Sequence, residues 1–308
     1  MLREFKGPTG TAIAVAAFRA ANSCAPSPLA IVDDPFAGRL IPRPLGRLAS
    51  ITRSRPRLGW ALHRSLALLS AEMSTNLALR TAAIDDGVRE TLARGVRQVV
   101  VLGSGLDARA WRMPELAPCS MFELDRPGAH AVKQRRLAGY PVRARRHRLV
   151  PIDFERQTIA EVLDGAGFDR SAPTVWLWEA VAVYLTPAAI ERTFETVAAL
   201  SAPGSTFMAT YTPPNLGQGD RPTWHWRLAA RIAGEPVRGE MATERLRASL
   251  SLHGFEVISD DTATQWAQRY WPASEHHHAR GWERLVIAHI LPGEAGPTET
   301  NASSRRGG

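Results

Sequence analysis

Lysine is almost missing from this 308-residue chain: Lys6 and Lys133 are the only two, and arginine supplies the rest of the 38 basic residues. Replacement of one cation by the other throughout the chain reads as a compositional bias rather than a nucleic-acid-binding stripe. Two arginine-rich stretches still stand out, Arg39 to Arg64 and Arg135 to Arg148. Cysteine is as scarce. Cys24 and Cys119 give neither a disulfide framework nor zinc-ligand spacing, which makes a reducing compartment the default. Long apolar runs are missing too: none approaches the about 18 residues that a membrane span needs. The opening "MLREFKGPTGTAIAVAAFRAANSC" loosely imitates a leader, but Arg19 interrupts its short apolar segment, and a helix is the better reading. Internal repeats are absent. A cytoplasmic monomer or homodimer is expected, with a small-molecule partner, no nucleic acid and no membrane.

What is present suits a large core, since 44% of the residues are hydrophobic. Residues 10–95 read as mostly helical: "TAIAVAAFRAA" is Ala-rich, and "ALHRSLALLSAEMSTNLALRTAAIDDGVRETLARG" places apolar residues at three- and four-residue steps until Gly95. The pattern then alternates. Strands are predicted at 97–102, 120–125, 146–153, 173–181 and 205–211, with helices at 128–139, 157–167 and 187–204 between them. Such alternation means a parallel, doubly wound sheet that binds ligands at the carboxyl ends of its strands. Residues 212–245 break the rhythm with prolines, glycines and "TWHWRLAARIAGEP", as expected of an inserted lid. A helix at 243–254 and strands at 255–260 and 283–291 finish the sheet, the last two as an antiparallel hairpin. The division expected is a helical cap at 1–95, a core at 96–291 and a disordered polar tail at 292–308.

"VVVLGSGLDARAWRM" is the most informative stretch. Gly103-Ser104-Gly105-Leu106-Asp107-Ala108 fits G-x-G-x-x-[G/A], and Asp125 stands twenty residues beyond Gly105. Glycines permit close backbone approach, a helix start faces an anion, and the acid accepts ribose hydroxyls. A NAD(P)-dependent oxidoreductase is therefore one reading, and an S-adenosylmethionine site is another. The helical chain before the loop, the Asp107 carboxylate where a pyrophosphate would sit, and the lack of any Tyr-x-x-x-Lys pair favour the second. A nucleic-acid base methyltransferase would carry an Asn/Asp-Pro-Pro-aromatic loop after the fourth strand, where this chain has Glu179-Ala180-Val181-Ala182.

"QVVVLGSGLDARAWRM", "MFELDRPGAHAVKQRRL", "VPIDF" and "PTVWLWEAVAVYLTPAAIERTFETVAALSAPGS" resemble successive blocks of the leucine carboxyl methyltransferase-like family, S-adenosylmethionine-dependent O-methyltransferases with bacterial members in polyketide and other secondary metabolism. "TAIAVAAFRA", "DDPFAGRL" and "LALRTAAIDD" resemble its N-terminal blocks, and "AGEPVR", "LHGFEVISD" and "QRY" its C-terminal ones, so the likeness runs in order over residues 10–290. Ser104 and Ala108 stand where the family often has alanine and threonine.

The resemblance implies a class I, Rossmann-like α/β fold: a mostly parallel seven-stranded sheet with helices on both faces, a helical N-terminal cap and an inserted lid. It also implies S-adenosyl-L-methionine as cofactor. Arg80 matches the arginine that holds the methionine carboxylate, Gly103, Ser104 and Gly105 the loop beside the methionine portion, Asp125 and Arg126 the ribose end, and Asp153 and Phe154 the adenine reader. Glu179 and Ala180 match cofactor contacts at the end of the fourth strand. Glu179 and Tyr184 are the candidates for catalysis, and Trp224 and Trp226 for an aromatic roof over the acceptor, with Trp266 and Trp271 as further candidates for it. No metal is expected, because the adjacent His276, His277 and His278 do not converge like spaced ligands. The expected activity is O-methylation of a carboxylate, or of a phenolic or enolic hydroxyl, on a small metabolite.

Overall fold

In the computed structural model, the residues described are 10–25, 28–70, 73–154, 156–214, 231, 235, 237–279 and 283–290. Their centre is a seven-stranded sheet in the order β3-β2-β1-β4-β5-β7-β6. The strands are β1 (Gln98–Leu102), β2 (Ser120–Asp125), β3 (Arg146–Pro151), β4 (Thr174–Trp178), β5 (Thr206–Tyr211), β6 (Phe255–Thr262) and β7 (Arg284–Ile290). The first five are parallel, and β7 runs antiparallel to both β5 and β6. Strand order reverses between β1 and β4, which opens the crevice that ligands use in such sheets.

Every residue of β1, β4 and β5 is buried, which explains why these strands read as continuous apolar runs rather than alternating ones. Their side chains still separate by parity. Val99, Val101, Val175 and Leu177 enter one core, while Val100, Leu102, Trp176 and Trp178 enter the other. At the sheet's edge, β3 has only Val150 fully buried. The second core is aromatic, with Trp178 edge-on to Phe194 at 5.9 Å and Phe207 against Phe255 at 5.4 Å.

Among the described residues five helices precede β1: α1 (Gly10–Asn22), α2 (Ala37–Leu40), α3 (Arg43–Arg53), α4 (Pro56–Leu69) and α5 (Met73–Ala93). Between strands lie α6 (Arg109–Arg112), α7 (Pro127–Leu137), α8 (Ile159–Ala166), α9 (Pro187–Leu200), α10 (Thr243–Leu252) and α11 (Ala263–Tyr270). Thr158 closes a capping box with Glu161 at the start of α8, and Gly167 at φ 78° ends that helix. Helix α5 is buried along nearly its whole length, so it brings Arg80 and Asp85 into the interior. It approaches the sheet closely at Gly87, where an added Cβ would lie 3.1 Å from Met208 Sδ and Ile287 Cδ1. The lid expected at 212–245 lies mostly outside the described residues, as does the tail expected at 292–308. Among the described residues no helix is long and apolar enough to cross a membrane.

Candidate functional site

The loop after β1 turns on two glycines in the left-handed region, Gly103 at φ 70° and Gly105 at φ 47°. A Cβ on Gly103 would come within 2.5 Å of Val181 Cγ2, so the loop leaves no room there for a side chain. The amides of Gly103 and Ser104 donate to Leu124 O at 2.8 and 3.0 Å, which ties the loop to the end of β2. Asp125 closes that strand. Its carboxylate accepts from the amides of Gly105 (2.5 Å) and Arg126 (2.6 Å), and it stays partly exposed with lone pairs left for other donors. Arg126 is exposed at the start of α7. Ile152 donates to Asp125 O at 3.0 Å, which draws the loop after β3 to the same edge. Asp153 and Phe154 are exposed on that loop, Phe154 by 43%.

Beneath the glycine loop lies a second layer, in which Lys133 and Glu123 are fully buried. Lys133 of α7 pairs with Glu123 of β2 and reaches Ser104 Oγ at 3.4 Å, and His147 Nε2 meets the other oxygen of Glu123 at 2.9 Å. Desolvation raises the Glu123 pKa, but Lys133 and His147 outweigh it and hold the carboxyl below its ordinary range.

Across the crevice, Glu179 follows β4 and takes ion pairs from two arginines, Arg80 of α5 at 2.9 Å and Arg109 of α6 at 2.8 Å. Burial opposes its ionisation, yet Arg109 and then Arg80 prevail and hold it down at about 2. Arg80 also grips Glu283 at 2.8 Å. Arg109 further pairs with Asp107 (2.5 Å) and Asp85 (2.7 Å), Arg112 with Asp85 (2.6 Å), and Arg19 with Asp34 (3.3 Å). Arg112 also comes within 3.9 Å of Asp34, which joins the last pair to the rest. Among the described residues the connected network holds five carboxylates against four guanidiniums. Arg109 Nη2 is buried in it with no partner among the described residues.

Ala180, the residue after Glu179, has φ 57° and is the one non-glycine residue with positive φ among those described. Its amide donates to Thr210 Oγ1 at 2.8 Å. Strain of this kind clusters at functional sites. Farther along, Tyr184 ends a short 3-10 turn (Ala182–Tyr184) beside Thr11 and Glu235. Burial, then the Glu235 charge, push its phenol up to about 12. Thr11 also donates to Glu235, and the amides of Arg238 and Gly239 donate to Val183 O at 2.9 and 3.0 Å, so α1, Glu235 and the 237–241 segment flank Tyr184.

The structure thus brings Arg80, Gly103, Ser104, Gly105, Asp125, Glu179 and Ala180 to one crevice, with Arg126, Asp153 and Phe154 along its β2–β3 side. Some sequence expectations change. Asp107 does not face a ligand position: it is buried, and it both pairs with Arg109 and caps its amide. Glu179 is a poor catalytic base, because two guanidiniums hold its carboxylate ionised. Trp266 and Trp271 are core side chains, 1% and 4% exposed, rather than parts of an acceptor roof. Trp224 and Trp226 lie outside the described residues. His276 and His277 bond to the carbonyls of Trp271 and Ser274 in a 3-10 turn. Arg109, Asp85, Glu283 and Lys133 received no role from the sequence. Arg109 sits in the G-x-G-L-D-x-R block and Asp85 in "LALRTAAIDD", so their position in the motifs was the signal available.

The family model described as leucine carboxyl methyltransferase matches residues 12–198. A protein of Mycolicibacterium vanbaalenii, provisionally named an S-adenosyl-L-methionine-dependent methyltransferase, is 41% identical over 211 residues, 66% of each chain. One of Mycolicibacterium gilvum with the same provisional name is 34% identical over 281 residues, 89% of this chain and 81% of its own. A provisionally named methyltransferase of Thermobifida fusca superposes with TM-score 0.58 at 15% identity, over 94% of this chain and 97% of that one. A DUF574 family protein of Streptomyces avermitilis gives 0.54 at 11% identity, over 74% and 88%. Those two likenesses concern the fold alone. With its sequence matched over more than half its length and its sheet ordered as described, the chain belongs to the leucine carboxyl methyltransferase family.

Proposed function

We propose that the protein transfers a methyl group from S-adenosyl-L-methionine to an oxygen of a small metabolite, with a carboxylate as the preferred acceptor. The observation that carries this is the ion network beside the glycine loop, where, among the described residues, five carboxylates face four guanidiniums. A surplus negative charge in a buried crevice suits a ligand of net positive charge, as a sulfonium amino acid is, and opposes the pyrophosphate of a dinucleotide. Arg109 Nη2, which has no partner among the described residues, would offer a donor to the carboxylate of such a ligand.

When bound, the sulfonium supplies an already activated methyl group. The residues of this chain then have to position and desolvate. Asp125 accepts from the ribose hydroxyls, the exposed Phe154 ring offers a face to adenine, and Glu179 with its arginines holds the amino-acid end. Neither Glu179, held at about 2, nor Tyr184, pushed up to about 12, accepts a proton at neutral pH. An acceptor oxygen that is already ionised avoids that need, which favours a carboxylate over a phenol or enol.

The test is incubation of a metabolite extract with the enzyme and deuterated-methyl cofactor, followed by mass spectrometry. A labelled product that mild alkali hydrolyses, as it does a methyl ester, is expected. An alkali-stable labelled ether would move the acceptor to a hydroxyl. Thermal stabilisation by NAD(P) and none by S-adenosylhomocysteine would overturn the whole reading.

A further inference from the structure

The basic stretch between Arg39 and Arg64 has no part in the crevice, and the fold gives it a distinct shape. Between Pro35 and Ala71 the chain has seven arginines and no acidic residue. All seven (Arg39, Arg43, Arg47, Arg53, Arg55, Arg57 and Arg64) are exposed, and among the described residues only Arg53 has a carboxylate partner, Asp33. Apolar side chains stand among them. Five of the eight exposed large hydrophobic residues described lie here: Leu45, Leu48, Ile51, Leu58 and Trp60, each 44–49% exposed. Leu45, Leu48 and Ile51 recur every three residues along α3, beside the stripe of Gly46, Ala49 and Thr52 that faces the protein. On α4, the Arg64 guanidinium lies 5.7 Å from the Trp60 ring.

The second basic stretch joins this face. Arg136 of α7 donates to the carbonyls of Ile41 and Arg39. Burial, then repulsion from Arg135 and Arg43, lower its pKa, so guanidiniums about ninety residues apart in the chain crowd together.

We propose that α3 and α4, extended by Arg135 and Arg136, form a docking face for an anionic lipid surface. Helices with exposed leucine, isoleucine and tryptophan bordered by arginine lie in the headgroup region, where the apolar side chains enter the acyl boundary and the guanidiniums meet phosphates. A second copy is a poor occupant, because it would bring two faces of the same positive charge together. A nucleic acid would pair the arginines but leave five apolar side chains in water. The expectation of no membrane partner rested on the length of apolar runs, which tests spanning and not surface binding. This inference stands apart from the methyl-transfer reading.

Co-sedimentation of the full chain with vesicles of phosphatidylglycerol and phosphatidylcholine, against phosphatidylcholine alone, tests it. Binding to the anionic vesicles that weakens with salt is expected. Arg43→Gln with Arg47→Gln should lower the partition coefficient about thirtyfold, and Leu48→Glu with Trp60→Glu about tenfold. Unchanged circular dichroism and S-adenosylhomocysteine affinity would show that both variants fold. No preference for anionic vesicles would overturn the proposal, and so would binding that is indifferent to Leu48→Glu/Trp60→Glu. It would also fall if those two changes abolished self-association seen by light scattering while the parent ignored vesicles, or if DNA fragments, but not vesicles, bound the parent.

Discussion

Ala180 holds a conformation that costs an L-residue about 1–2 kcal/mol relative to the ordinary regions, and its amide contact with Thr210 helps keep it there. Ala180→Gly should therefore raise stability by about 1 kcal/mol, read as an increase in Tm, while the amide bond to Thr210 persists. Glu179 offers a sharper test. Replacing it with Gln keeps its shape but removes the charge that balances Arg80 and Arg109. Glu179→Gln should weaken binding of the cationic cofactor about tenfold more than binding of S-adenosylhomocysteine, which has no sulfonium charge. Isothermal titration of both ligands checks this, and equal losses would place Glu179 outside the field felt by sulfur. Asp125→Ala and Arg80→Ala should each weaken S-adenosylhomocysteine by severalfold or more, and unchanged affinity in both would sink the site assignment.

Among the elements, α5 has the least tolerance. Gly87 lets it lie against Met208 and Ile287, and Gly87→Val should cost about 2 kcal/mol by overpacking, measurable by urea denaturation. Strands were the most legible elements. "SMFELD" is β2 to the residue, because a buried parallel strand is an apolar run that ends where polar groups must reach the crevice. Gly103, Gly105 and Asp125 could be read for the same reason, since a motif confined to one strand–turn unit contains its own geometry. The ion network was not legible. Arg80 and Glu283 stand 203 residues apart, and Arg109 and Glu179 stand 70 apart, so no local pattern pairs them. The aromatic roof failed differently for Trp266 and Trp271: their periodicity fits burial as well as it fits a ligand wall, and packing decided.

At the level of the whole molecule, buried ion pairs tie stability to pH. Glu179 moves from 4.5 to about 2 in the fold, and Asp107 is lowered as well, chiefly by Arg109 and Arg19 against their burial. Groups lowered in this way stabilise the fold fully above their unfolded values, and that contribution disappears as pH falls through the folded ones. These carboxylates should therefore make stability decline steeply from about pH 4.5 toward pH 2. Thermal melts across that range check it, and Glu179→Gln should flatten the slope.

The buried Lys133 also makes the fold its own reporter. It is one of two lysines in the chain and 0% exposed, clasped by Glu123 under the glycine loop. An amine-reactive reagent can acylate it only when α7 lifts from β2. The rate of label uptake at Lys133, read by peptide mass spectrometry, thus clocks the opening of the crevice floor, and a ligand resting on that floor should slow it.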